Sequence, residues 1–360
     1  MLAGGILVLI WSFTELGTPL MFNCTELTAV QIFNGLTELE SNPVPFTLVL
    51  VTLAVSLALY LVSKKLLGGS RAVAVKGNNV RILKDLSGFC RYLPTLAFGF
   101  VTLIAVLPHL ALILIAFSRV YYQSVLPGQF SLANFEEALS NSLILPSIGN
   151  SLRYSLLATL IAMTIGVLAA LGAGRWQLKG GILLDLLVMT PLAVPGIVVA
   201  FGYLFISVRY HWASGFNALE NPFFLLAIAY AVRRLPFVVR AVASGLEQTP
   251  VELEEAARNF GASASRAFLR ITLPLVGANI LVGGLFAFSF SMLEVSDSLI
   301  LAHKAEFFPV SRALYELSQI IGSGNAVAAA FGVWTMLFLA ATLGAATALL
   351  GRRIGAVFKL

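Results

Sequence analysis

An all-α bundle of about eight membrane-spanning helices is the fold this sequence predicts, and three observations predict it. Hydrophobic residues make up 59% of the chain and charged residues 11%, which leaves too few polar side chains to clothe a water-soluble domain. The apolar residues gather into runs of about 20, the length of helix that crosses the hydrocarbon core. The runs show no two-residue alternation, and that argues against a membrane β-barrel.

The first run, 2 to 20, has neither a basic flank nor a small-residue cleavage site, so it reads as a retained span and not a signal peptide. The second covers 45 to 63 and the third 95 to 117, where His109 follows Pro108 and reads as a hydrogen-bonded packing residue. The fourth, 150 to 173, carries Gly166, Ala169, Ala170 and Gly172, small residues that suit close helix contact. Pro191, Pro195 and Gly196 interrupt the fifth, 182 to 207; breaks of this kind in membrane helices line cavities or permit bending, so Pro195 and Gly196 are candidate pathway residues. The sixth is 222 to 240, the seventh 277 to 300 and the eighth 326 to 349. Glu294 and Asp297 fall toward the external end of the seventh, and ionisable groups inside spans are costly enough to suggest function.

Lys and Arg set the orientation. Lys64, Lys65, Arg71, Lys76, Arg81, Lys84 and Arg91 crowd the segment between the second and third runs, which makes it cytoplasmic. Counting alternate loops puts Arg175, Lys179, Arg258, Arg266, Arg270 and both chain ends on the same side, with Arg233, Arg234 and Arg240 at its edge. The net charge of +6 is thereby explained by topology and lipid contact, and no nucleic-acid partner is implied. Cys24 and Cys90 fall on opposite sides of the bilayer and cannot pair within one chain, and no metal framework is implied.

The loop from 245 to 276 has a different character. Thr249, Pro250 and Glu252 read as a capping box opening a short helix. Glu252, Glu254 and Glu255 then lie near its positive end and Arg258 toward its negative end. Gly261 suits a left-handed turn that ends this helix, Ser263 a cap for a second helix through Arg270, and Pro274 a stop. The expected product is a rigid helix, turn, helix unit outside the bilayer.

An internal repeat is also expected. Leu2-Ala3-Gly4-Gly5-Ile6 matches Leu281-Val282-Gly283-Gly284-Leu285, and the same register of 283 − 4 = 279 carries Ser12 onto Ser291, Glu15 onto Glu294 and Leu20 onto Leu299. Residues 1–66 then form the two-span tail of a first repeat, 67–91 a basic cytoplasmic linker, and 92–360 a complete six-span second repeat. A first repeat of the same plan would have its own polar loop ahead of Met1, so a longer or split two-repeat protein is expected.

Glu255-Ala256-Ala257, Gly261 and Ile271-x-Leu273-Pro274 stand at fixed spacing. Seven such residues arise by chance in a chain this long only about a few times in 10⁵. The pattern resembles the EAA loop of the inner-membrane permeases of ATP-binding-cassette (ABC) importers, type I, and four further stretches accompany it. They are Ser131-Leu132-Ala133-Asn134-Phe135, Asn150-Ser151-Leu152, Arg234 to Arg240, and Leu273-Pro274-Leu275, and together they resemble the iron(III)-type permeases of bacteria.

The resemblance implies that Glu254, Glu255, Ala256, Ala257, Gly261, Ile271, Leu273 and Pro274 form the contact with a separate ATPase subunit. The chain has no Gly-x4-Gly-Lys-Ser/Thr loop, so it is not expected to bind or hydrolyse ATP; the resemblance implies a transport subunit that is not itself an enzyme and binds no cofactor, with ATP at the partner. The other implied partners are an extracellular or periplasmic solute-binding protein and a second permease half. A hard cation such as iron(III) would favour the oxygens of Glu294, Asp297 and the repeat mate Glu15, while sulfate, polyamine, thiamine and phosphonate importers share similar loops. The rival readings are a proton-coupled transporter working through Glu15, Glu294 and Asp297, and a non-transporting membrane scaffold.

Overall fold

The computed structural model describes residues 8–9, 12–38, 42–67, 88–119, 127–176, 179–210 and 215–357. The Leu2–Ile6 copy of the repeat and most of the basic linker lie outside them.

Ser12 and Phe13 are helical, Thr14 to Leu16 break the run, and α1 (Gly17–Met21) follows. Next come α2 (Thr28–Asn34), α3 (Val44–Leu67), α4 (Leu93–Ala116), α5 (Ala133–Ser140) and α6 (Ile144–Ala170), the last continued by a π-turn at Leu171–Arg175. The chain proceeds through α7 (Gly181–Ala193), α8 (Gly196–Arg209), α9 (Phe223–Gln248), α10 (Glu252–Asn259) and α11 (Ala264–Ala267). A second π-turn, Phe268–Thr272, joins α11 to α12 (Leu273–Met292), which is followed by α13 (Ser296–Leu301), α14 (Val310–Ser318) and α15 (Gly324–Val357).

Four helical stretches are long and apolar enough to cross a membrane among the described residues: 93–116, 144–175, 264–292 and 324–344. The bent pair 183–192 and 196–209 makes a fifth if it is one span. Eight were expected. The difference has three sources: the first run lies partly outside the described residues, α3 offers only a shorter apolar stretch at 44–59, and α9 carries Arg233, Arg234 and Arg240.

The centre of the bundle is α6, α9 and α12, which pack on one another. Tyr154, Ala158 and Ala162 of α6 meet Leu226, Tyr230 and Val238 of α9 in the buried core. Gly166 packs against Val238 and Leu235, so a small residue sets how closely α6 approaches α9. A second core joins α14 and α15 to α5 and the end of α4 through Leu317, Phe331, Ala138 and Ala116. His109 bonds the Ala105 carbonyl one turn back at 3.0 Å, on an exposed face of α4.

Two of the stretches singled out in the sequence are polar staples. Asn134 Nδ2 donates to the carbonyls of Ala116 (3.0 Å) and Ser118 (2.8 Å), closing α5 onto the end of α4. Asn150 Nδ2 donates to the carbonyls of Glu306 (2.8 Å) and Phe308 (3.2 Å), Tyr154 donates to Phe307, and Ser151 Oγ accepts from Val310 N–H. These bonds hold the irregular backbone between α13 and α14 against α6 and pair its carbonyls. Asn150→Ala is expected to lower stability by about 1–3 kcal/mol, the cost of buried carbonyls left unpaired. Thermal unfolding of the detergent-purified chain measures it.

Candidate functional site

Two regions have a geometry that goes beyond packing. The first is the polar loop. Here α10 has no buried residue, carries Glu252, Glu254 and Glu255 in its first turn and Arg258 in its last, and matches its dipole at both ends. Gly261 follows at φ 87°, the left-handed region that glycine enters without penalty, and nothing stands within 4 Å of where its side chain would be. Ser263 caps α11 by accepting from Arg266 N–H at 3.3 Å. Glu255, Ala256 and Gly261 are exposed, and Ala257 is half-buried.

Two details differ from expectation. Thr249 does not cap α10: its hydroxyl donates to the Gly245 carbonyl, so it belongs to the end of α9, and the residue before α10 is Val251, with no side-chain cap. Pro274 does not stop the helix either. It stands in the first turn of α12, just past the π-turn, where a missing N–H costs nothing, and the helix runs on to Met292. Phe260, which belongs to none of the sequence motifs, is 94% exposed beside Gly261, with Val251 and Leu253 also exposed nearby.

The second region is a cavity of about 250 Å³ where two broken helices meet. One break is Val194-Pro195 between α7 and α8, which are bent by 101°. The other is Leu293 to Val295 between α12 and α13. The wall includes Glu15, Pro195, Gly196, Arg233, Arg234 and Glu294. Gly196 lies directly against the Arg233 guanidinium, so any larger side chain there would displace it.

The charged groups form one network. Arg233 meets Glu294 Oε1 at 3.4 Å and Asp297 at 3.2 and 3.3 Å, while Arg234 bridges Glu294 Oε2 and donates to the Phe290 carbonyl at 2.9 Å. Arg234 also lies over the Phe290 ring, which stacks on Phe237. Glu294 is 4% exposed and Asp297 1%. Tyr230 and Ser298 share a hydrogen bond of 2.6 Å, and Ser311 donates to the Glu294 carbonyl, so α9 and α14 hold the broken segment from both sides.

This arrangement corrects two expectations. Arg233 and Arg234, read from the sequence as membrane-edge charges, lie midway along α9, half-buried, and partner the two carboxylates. Glu294 and Asp297 are therefore committed to guanidinium groups, and neither offers a free edge to a metal ion. Among the described residues no group of three metal-ligating side chains gathers. Asp297 stands behind the cavity wall, whereas Glu15 and Glu294 reach the same cavity. Glu15 Oε1 accepts from Gly17 N–H at 3.2 Å, two residues on.

Residues 162–356, over half the chain, match the family described as binding-protein-dependent transport system inner membrane component. The molybdenum transport system permease protein ModB of Escherichia coli (strain K12) is 34% identical over 188 residues, 49% of this chain and 81% of that protein. The sulfate transport system permease protein CysT of the same strain is 29% identical over 223 residues, covering 59% and 76%. The putrescine transport system permease protein PotI, also of that strain, is 27% identical over 208, covering 58% and 71%. In fold, the chain is similar to a bacterial ABC transporter involved in the import of the polysaccharide alginate, with a TM-score of 0.58 at 14% identity, over 73% of this chain and 98% of that one. With a polar loop of this spacing set on a helical membrane bundle of this fold, the chain belongs to the binding-protein-dependent inner-membrane permeases of ABC importers.

Proposed function

We propose that this chain is the solute-conducting subunit of an ATP-driven importer, docked through α10 and the Gly261 turn onto an ATPase subunit at the cytoplasmic face. The observation that carries this is an eight-residue helix with no buried side chain, followed by a left-handed glycine and an almost fully exposed Phe260. A helix so little used by its own bundle, with Ala256 and Ala257 permitting close approach, is built to be covered by another protein. A solute-binding protein on the opposite face would deliver cargo to the cavity between the two helix breaks. Both chain ends are assigned to the cytoplasm by the distribution of Lys and Arg.

The element order supports the expected repeat. A helix break, a short helix, a second short helix and a long helix occur as Thr14–Leu16, α1, α2 and α3, and again as Leu293–Val295, α13, α14 and α15. In this reading the two repeats put equivalent glutamates, Glu15 and Glu294, on one pathway. ATP coupling is favoured over proton coupling through Glu15, Glu294 and Asp297, since two of those three carboxylates are held by arginines.

The cargo is assigned by charge balance. With Asp297 counted from behind the cavity wall, two guanidinium groups face two paired carboxylates, and Glu15 adds a carboxylate with no ion pair among the described residues. A positively charged solute fits that excess, a class that includes ferric iron and polyamines. Labelled ferric iron, putrescine, molybdate and sulfate offered to cells with and without the gene test it. Gene-dependent uptake of a cation is expected, and gene-dependent uptake of an oxyanion alone would overturn the charge assignment.

A further inference from the structure

Glu254 is the one acid of α10 that faces inward, and what it touches comes from two different spans. Its Oε1 accepts from Arg175 Nε at 3.0 Å and from the Thr272 hydroxyl. Arg175 closes the π-turn at the end of α6, and Thr272 closes the π-turn that opens α12. The same guanidinium donates to the carbonyls of Thr249 (3.1 Å) and Pro250 (3.3 Å), the link by which α9 runs into α10. Arg175 is 7% exposed, Glu254 21%, and Thr272 is fully buried. One carboxylate and one guanidinium therefore tie α10 to α6, α9 and α12, the three helices at the centre of the bundle.

We infer that the Arg175–Glu254–Thr272 clasp is the linkage through which motion of the docked α10 reaches the helices around the cavity, with all three as positioning residues. Apart from Glu254, Ala257 is the one half-buried residue of α10, and the rest of its side chains are exposed. The clasp is the side-chain tie that carries a load on α10 to α6 and α12, beside the backbone at its two ends. The two π-turns support the assignment, because such turns interrupt helices where a side chain has to be aimed out of the regular register, and these two converge on one atom. The clasp is distinct from the docking surface: Glu255, Ala256 and Phe260 face outward, while Glu254 faces in.

This inference rests on the proposed role as an ATP-driven permease, and the experiment separates the two. The transporter is purified from its membrane with its ATPase subunits and placed in lipid vesicles, with Cys24 and Cys90 changed to serine and a reporter, Leu293→Cys, in the cavity wall. A water-soluble maleimide then reads cavity access before and after trapping with ATP and vanadate. With the clasp intact, trapping is expected to change the labelling rate by about fivefold or more; Arg175→Ala or Glu254→Gln should cut the change below about twofold. ATPase subunits should remain bound and active in both variants. Thr272→Val, which removes one hydroxyl from a folded core, should fall between. A full change in labelling in all three variants would overturn the clasp, and so would loss of the bound ATPase subunits in Glu254→Gln and Thr272→Val alike. A clasp-intact parent that holds no ATPase subunit would overturn the permease reading itself.

Discussion

Glu294→Ala is expected to destabilise the chain by up to about 3–5 kcal/mol, because it leaves two half-buried guanidinium groups without their shared carboxylate. Arg234 would lose its only ion-pair partner among the described residues, and Arg233 would keep Asp297 alone. The pair is not expected to be worth that much in itself. Desolvation of both charges offsets most of their attraction, so the double replacement Arg234→Met with Glu294→Leu should recover most of the loss. Thermal unfolding of the parent, the single variants and the double variant in detergent, read as a double-mutant cycle, measures both effects. A single Glu294→Ala that unfolds within about 1 kcal/mol of the parent would mean that the arginines find water or another partner, and the buried network would lose its structural meaning. If the double variant is stable and well folded but conducts no solute, the charges are there for transport.

The second large effect is expected at Gly261. Its φ of 87° is a conformation that valine adopts only with strain, although the space around it is open. Gly261→Val should therefore cost about 1–3 kcal/mol locally, enough to reshape the turn while the bundle, which gains no clash, unfolds as before. ATP-dependent uptake should fall by at least about tenfold as the reshaped turn weakens docking of the ATPase subunit. Gly261→Asn, a residue that tolerates this region, should restore much of it. Uptake that survives Gly261→Val unchanged would remove the turn from the coupling mechanism.

The sequence is most legible where the chemistry is local. The Gly261 turn, the Ser263 cap, the dipole-matched charges of α10 and the break at Pro195-Gly196 depend on neighbours within a few residues, and each stands where its residue type requires. Glu15 and Glu294, which the expected repeat aligns, each lie at a helix break. Features set by distant partners are not legible. Arg233 and Arg234 look like membrane-edge charges to a rule that counts Lys and Arg by loop, and only the carboxylates some 60 residues later in the chain, on the α12–α13 break, explain their place midway along α9. Thr249 has the residues of a capping box, but the end of α9 and the guanidinium of Arg175 claim it first. The seventh run reads as unbroken because the apolar Leu299 to Leu301 of α13 follow α12 after only a few positions, so hydropathy does not register the interruption at Leu293 to Val295. Glu254 joins the docking residues by its position in the motif, whereas the geometry turns it toward Arg175 and Thr272.

The measurement that bears most directly on the central claim is the position of α10 relative to the membrane and to an ATPase subunit. A single cysteine introduced as Ala256→Cys, with Cys24 and Cys90 replaced by serine, can be labelled by an impermeant thiol reagent in inside-out and right-side-out vesicles and cross-linked to bound protein. Labelling from the cytoplasmic side only, blocked when the ATPase subunit is bound, and a cross-link to that subunit are the predicted results. Labelling from the outer side, or a cytoplasmic cysteine that no ATPase subunit protects or captures, would contradict the account.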